Sequence, residues 1–540
     1  MLRGRHTGRI AKTNCLWCEV SRKQSPSRID GIMTPKIILI HPPVSKPTEP
    51  PAGLARLAGC LRLNGVACEV IDANLEGFLH LLENFTPGLS GDRWTARAWK
   101  HWDCNLSALR SEKLYKNESR YRRAVADVGR LIKMAGKQYD VYLTPADYQD
   151  RKWTPVRSDN LLYAAENPAA NPFYPYFRFR LQKVLQDGPS YIGFSLNYLS
   201  QALTALAMIG YIKKENPRQR IILGGSLVTS WIKITGRENI FRGLVEAMVA
   251  GPGEQKLLDM LGVEHGVING LPDYEEFYLN QYMAPVKILP YSAAQGCYWR
   301  QCSFCPENAE DNSYRPQPLE EVWNNLSLLC SKNKPGLLHF LDNAISPARL
   351  TALAQKNPGA PWYGFARVTG HLADENFCRS LQRCGCVLLK LGIESGDQSV
   401  LDKLRKGIEL KTAVQALKAV KKAGIFTYVY LLFGTPPEDE ASAQKTLEFV
   451  IANRENIDFL NLAIFNLPLA SLDAAQLVTH DFYEGDLSLY RAFRHPLGWQ
   501  RSLVRRFLEG TFKKHPAVAA ILRRNPEYFT SNHAPFFAGR

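Results

Sequence analysis

Three cysteines fall within nine residues, Cys297-Tyr298-Trp299-Arg300-Gln301-Cys302-Ser303-Phe304-Cys305, and no other stretch of the chain is better equipped for chemistry. Three clustered thiolates can hold three irons of a [4Fe-4S] cluster and leave the fourth open to a small molecule. A structural zinc would ask for a fourth protein ligand. No further Cys or His lies in the loop, and the nearest candidates downstream are Cys330 and His339. Ligand count therefore favours a cluster over zinc, with three unrelated core thiols as the remaining reading. Phe304, just before the last cysteine, suits a loop that shields an oxygen-sensitive group and walls a pocket.

The elements that must position this loop repeat as strand then helix. Apolar runs predict strands at 286–289, 337–341, 362–366, 387–393, 426–433 and 459–464, with helices at 319–330, 376–383, 412–423 and 441–451. Six such units fit a partial (β/α)6 barrel, whose reactive groups gather at the strand carboxyl ends. Those ends carry Asp342-Asn343, Arg367, Glu394-Ser395 and Gly434 in otherwise apolar surroundings. Helix capping and turn formation are the competing roles, most of all for Asp342 and Ser395.

Upstream the rhythm is that of a doubly wound, Rossmann-like α/β domain. Strands are predicted at 36–41, 67–71, 191–195, 221–223 and 247–250, and helices at 54–63 and 201–214. Ligands of such sheets sit beyond the strand carboxyl ends. Ser195, Gly224-Gly225 and Gly251-Pro252-Gly253 fall there, and glycines let backbone approach a large ligand. Between 78 and 187 the pattern breaks into polar, aromatic, helical sequence too long for a loop, which predicts an inserted helical subdomain.

The cysteine loop resembles that of the radical S-adenosylmethionine (radical SAM) superfamily, normally C-x3-C-x2-C with an aromatic before the last Cys. Here the pattern is C-x4-C-x2-C, one residue longer. The run Leu389 to Leu401 is similar to the corresponding segment of cobalamin-binding radical SAM proteins. Residues 36–262, without the insertion, resemble the cobalamin-binding domain of methionine synthase, in which a Ser follows the third strand and a Gly-Gly the fourth. Together the resemblance to the cobalamin-binding radical SAM family spans about 36–470. It implies that Cys297, Cys302 and Cys305 hold the [4Fe-4S] cluster. It implies that SAM meets backbone beside Phe304 and Gly434, Asp342 or Asn343 at its ammonium, Arg367 at its carboxylate, and Glu394 and Ser395 at hydroxyls or the ammonium. Ser195, Gly224, Gly225, Gly251 and Gly253 would cradle cobalamin. The D-x-H-x-x-G loop of methionine synthase is missing after the first strand, where the chain reads Pro42-Pro43-Val44-Ser45-Lys46-Pro47. Asp72-Ala73-Asn74-Leu75-Glu76-Gly77 looks like a copy with Asn for His, placed after the second strand instead. No histidine is therefore expected on cobalt, His41 being the one candidate exception.

The implied activity is methylation of an unactivated carbon through a 5'-deoxyadenosyl radical. Rearrangement or cyclisation would use the same residues. A zinc-containing nucleic-acid-binding protein is the competitor from another class. The substrate, a small molecule or peptide, is not readable. An electron donor such as flavodoxin or ferredoxin is implied.

Length and composition frame these readings. The 540 residues, 45% apolar, suffice for several cores. They divide into a basic extension at 1–32, read as disordered or mis-started, an α/β domain at 33–280, a barrel at 281–475 and a basic helical segment at 476–540. The net charge of +16 is uneven: residues 1–32 carry +5 and 491–540 carry +8, leaving +3 for the rest. Basic ends admit a nucleic-acid or anionic-lipid partner, although a solvated helical face explains them more economically. Cys15 and Cys18 form a CxxC without a second pair, read as incidental. Twelve cysteines without regular spacing point to a reducing compartment. With no 18-residue apolar run and no signal-like leader, the expected location is cytoplasmic.

Overall fold

A computed structural model describes residues 36–87, 92–482 and 484–537. The extension at 1–32 and the Cys15/Cys18 pair lie outside the described residues. The first sheet contains β1 (Lys36–Ile40), β2 (Ala67–Ile71), β3 (Tyr191–Ser195), β4 (Arg220–Gly224) and β5 (Ala247–Met248). All pairings are parallel and the order is β2-β1-β3-β4-β5. Ile37 to Ile40 are fully buried, as an apolar run flanked on both sides requires. Chain order reverses between β1 and β3, which opens a crevice beyond their carboxyl ends.

The segment between β2 and β3 is largely helical, with one feature the sequence reading did not include. Its first helix, Ala73–Asn84, starts directly after β2, capped by Asp72, whose Oδ1 accepts from Leu75 N at 3.0 Å. A two-stranded antiparallel hairpin, Val141–Thr144 with Asp147–Asp150, interrupts the helices. Asp72 Oδ2 also accepts from the Tyr282 hydroxyl at 2.6 Å, and Asn74 Oδ1 accepts from Ser45 N at 2.8 Å. The cobalt-loop look-alike is thus a helix cap and an internal brace.

The second sheet contains β6 (Ile288–Tyr291), β7 (Leu337–Ile345), β8 (Trp362–Ala366), β9 (Cys386–Glu394), β10 (Phe426–Phe433) and β11 (Phe459–Ile464). They pair in consecutive order, all parallel. The strand expected at 286–289 lies two residues later and includes Pro290. Proline is tolerated because β6 is an edge strand paired only with β7. Helices Leu319–Asn333 and Pro347–Gln355 cover the outer face of β7, where Phe340 and Asp342 point. His339, Leu341 and Asn343 alternate to the inner face.

After β11 the chain is not simply helical, as the sequence suggested. A small antiparallel sheet comes first, from 467–468, 479–481 and 490–493. Helices Arg501–Phe507 and Pro516–Arg524 follow. Thr530 to His533 then reach back to the first half of the chain: Thr530 Oγ1 accepts from Lys46 Nζ at 2.7 Å, and His533 Nε2 lies 2.7 Å from Met283 O. One continuous apolar core runs through both halves. No helix among the described residues is long and apolar enough to cross a membrane.

Candidate functional site

The carboxyl ends of the two sheets share one cavity of about 800 Å³. Its walls come from both: Ser195, Gly224, Gly225, Gly251 and Gly253 on one side, and Tyr291, Ser292, Gln295 and Gly296 on the other. All five glycine and serine positions expected at the cobalamin site line it. Gly225 has φ +109, and a Cβ there would stand 2.1 Å from Leu196 O, so only glycine lets this backbone form the floor. Asn197, missed by the sequence reading, ties the floor together. Its Nδ2 donates to Ser195 Oγ at 3.2 Å and its Oδ1 accepts from Ser226 N at 3.2 Å. Two bonds cross the cavity's edge: Ser230 Oγ donates to Glu310 Oε1 at 2.6 Å, and Lys233 Nζ to Asn312 Oδ1 at 2.8 Å. No histidine is among the lining residues. His41 lies off the cavity, buried with its pKa lowered to about 4 by desolvation, and its Nε2 is 2.9 Å from Ser45 Oγ.

The cysteine loop leaves this cavity at Gly296. Cys302 is buried and Cys297 and Cys305 are half-buried, all as free thiols. The three thiols sit on one short loop, where Cys302 lies within electrostatic reach of Cys297 and Cys305 of Cys302. Burial raises the Cys302 and Cys305 thiols, the latter to about 11, while Lys406 and Arg367 pull Cys302 the other way. Among the described residues no three His, Cys, Asp or Glu side chains converge on one ion. A [4Fe-4S] cluster spreads its ligand sulfurs more widely than one ion does, and a donor set of three thiols with cations beside it fits such a cluster.

The extra loop residue is accommodated locally. Arg300 has φ +46, a left-handed bulge, and its guanidinium pairs with Asp311. Trp299 Nε1 donates to Arg405 O at 3.0 Å, and Ser303 N to Leu404 O at 3.1 Å. The loop is therefore fastened to the segment that follows β9 and its helix Gln398–Lys403. Lys406, which the sequence did not single out, donates to Glu394 Oε1 at 2.7 Å and lies 5.5 Å from the Phe304 ring.

The strand-end residues separate into two groups. Arg367, Glu394 and Phe304 gather around Cys302 through Lys406. Arg367, expected at a SAM carboxylate, is already engaged: Nη1 is 3.8 Å from Cys302 Sγ, and Nη2 donates to Lys406 O. Asp342 and Asn343 face opposite ways because a strand alternates. Asn343 is exposed on the inner face, whereas buried Asp342 accepts from Ala293 N at 3.1 Å, and burial pushes its carboxyl up to about 6. Ser395 is fully buried. It accepts from Asp397 N at 3.1 Å and lies 3.3 Å from Thr446 Oγ1, so its hydroxyl is engaged within the turn. Gly434, φ +76, donates its N–H to Glu438, a buried carboxyl raised to about 8 by desolvation. Trp499 Nε1 donates to the same oxygen at 3.2 Å.

Comparison with known proteins agrees with this geometry. Residues 291–450 match the family model of the Radical SAM superfamily. An uncharacterized methyltransferase of Pyrococcus horikoshii is 23% identical over 287 residues, which are 47% of this chain and 61% of the relative. The chain thus spans less than two thirds of that protein's length. The radical S-adenosylmethionine methyltransferase TsrM of Kitasatospora setae, solved with cobalamin and a [4Fe-4S] cluster bound, superposes with a TM-score of 0.50 at 14% identity, covering 83% of this chain and 78% of TsrM. OxsB, a cobalamin-dependent S-adenosylmethionine radical enzyme solved with aqua-cobalamin, gives 0.52 at 12% identity over 85% of this chain and 64% of its own. At these identities the likeness is one of architecture.

Proposed function

We propose that this chain, whose residues 291–450 match the Radical SAM superfamily model and follow a Rossmann-like domain, is a cobalamin-dependent radical SAM methyltransferase acting on an unactivated carbon. The observation that carries the reading is the shared cavity, with the glycine floor on one wall and the root of the cysteine loop on the other. When bound, SAM on a reduced cluster supplies a hydrogen-abstracting radical and methylcobalamin supplies the methyl group; that chemistry is the cofactors' own. The chain's residues bind, orient and seal. Cys297, Cys302 and Cys305 hold the cluster. Ser195, Gly224, Gly225, Gly251 and Gly253 would cradle the corrin. Asn343 remains a strand-end acceptor available to SAM, and Glu394 is one that it would share with Lys406. Leu469 and Tyr490, at and beside the small sheet after β11, add apolar surface to the cavity wall.

The test is anaerobic reconstitution with iron, sulfide and cobalamin, a flavodoxin- or ferredoxin-type reductant, and SAM bearing a deuterated methyl group. Wild type should release 5'-deoxyadenosine and Cys302→Ala should not. Deoxyadenosine without label transfer to any acceptor would favour a rearrangement or cyclisation. Deoxyadenosine from Cys302→Ala would refute the cluster assignment.

A further inference from the structure

We infer that Arg367 is a positioning residue of the cluster loop, one that also sets the cluster's reduction potential, and not a ligand of the SAM carboxylate. The inference rests on the cluster reading above. Arg367 is buried at the end of β8, and three contacts engage both terminal nitrogens and the face of its planar guanidinium. One nitrogen donates toward Cys302 Sγ at 3.8 Å, another donates to Lys406 O, and the flat face lies 4.2 Å from the Trp299 ring centroid. Trp299 belongs to the lengthened gap between the first two cysteines. Its indole is pressed onto Gly407, where a Cβ would stand 2.1 Å from the ring. Arg367, Trp299 and residues 405–407 therefore form one clamp that holds the four-residue gap against the segment after β9. A lysine could supply the charge but neither the stack nor the fork.

The electrical consequence follows from the same contacts. Reducing the cluster by one electron, supplied by an external donor, adds negative charge beside Cys302. An N–H donor to a ligand sulfur and a buried cation favour the more negative state. Lys406, paired with Glu394, is a weaker contributor because its charge is locally neutralised.

The experiment is a spectroelectrochemical titration, read by EPR, of reconstituted wild type, Arg367→Met, Arg367→Lys and Trp299→Phe, with equilibrium SAM binding measured on the same samples. Wild type must first show a cluster. If it does not, the parent reading fails and not this one. The expected result for Arg367→Met is a reduced-to-oxidised ratio about tenfold lower at fixed potential, about 59 mV for one electron, with SAM affinity within about twofold of wild type. Arg367→Lys should recover part of the shift. A wild-type potential combined with a large loss of SAM affinity would overturn the inference and restore the carboxylate role. Should Arg367→Met fail to retain iron, Arg367→Lys and Trp299→Phe decide it: both at the wild-type potential overturns the inference, and a more negative potential in either supports it.

Discussion

Glu49 Oε1 lies 2.9 Å from Nδ1 of His339, so a carboxylate from the loop after β1 enters the inner face of the second sheet. His339 Nε2 in turn lies 2.8 Å from Lys390 Nζ, and the His339 ring stacks on Tyr363 at 4.2 Å. Lys46, Tyr198, Tyr274 and Asn532 face the same group, from the first domain, the linker before β6 and the C-terminus. A buried ionic group of this kind does not guarantee stability, but it holds two domains in one register.

Its pH signature follows from Lys390. Desolvation lowers this amine to about 7, from the usual 10.5 of a lysine. Between those values the unfolded chain carries a proton that the folded one lacks, so stability rises with pH, by at most about 1.4 kcal/mol per unit. Below about 7 the dependence on this group ends. Denaturant unfolding of wild type should show this slope from pH 7 to 9.5, and Lys390→Met should flatten it. An unchanged slope would place Lys390 in water.

Asp342 offers a second test. With its carboxyl raised to about 6 mainly by burial, stability falls as pH rises from 3.8 to 6 and the penalty persists above. Asp342→Asn keeps an acceptor for Ala293 N and removes the charge. It should therefore be more stable than wild type at pH 8, by about 1–3 kcal/mol, with SAM binding intact. A large loss of SAM affinity would return Asp342 to the SAM ammonium.

Gly407→Ala meets both a positive φ of +64 and the Trp299 ring. The expected cost is about 1–3 kcal/mol, together with faster loss of iron from the reconstituted protein on chelator challenge. Adding Trp299→Ala should relieve the collision and not the backbone strain. An unchanged rate of iron loss in Gly407→Ala would mean that the clamp does not hold the loop.

Gly225→Ala probes the opposite wall. The added Cβ cannot coexist with Leu196 O at 2.1 Å, so the floor must shift. Corrinoid retention should fall by about tenfold or more, the equivalent of about 1.4 kcal/mol, while cluster content stays at the wild-type level. Equal loss of both would point to general misfolding.

Much of this site was legible in linear order. Local apolar runs bounded by glycine and proline located nearly every strand, because each is a self-contained pattern of residues needing burial. Ser195, Gly224-Gly225 and Gly251-Gly253 could be assigned to the cavity since a parallel sheet sends its carboxyl ends to one side. Glu49, Asn197 and Lys406 were illegible. Each is a single polar residue in a loop, with meaning only through partners that the folded chain brings beside it, from Glu394 for Lys406 to His339 for Glu49.

The sequence by itself determined the two α/β rhythms, the three thiols and the glycine-rich strand ends, since spacing and residue type are local facts. Only the tertiary structure decided which way the strand-end side chains face. It turned Asp342 outward to Ala293, Ser395 into its own turn, and Arg367 onto Cys302 and Trp299. The physical reason is that a strand offers two faces and a buried polar group takes whatever partner packing brings within reach, and neither choice is written in linear spacing.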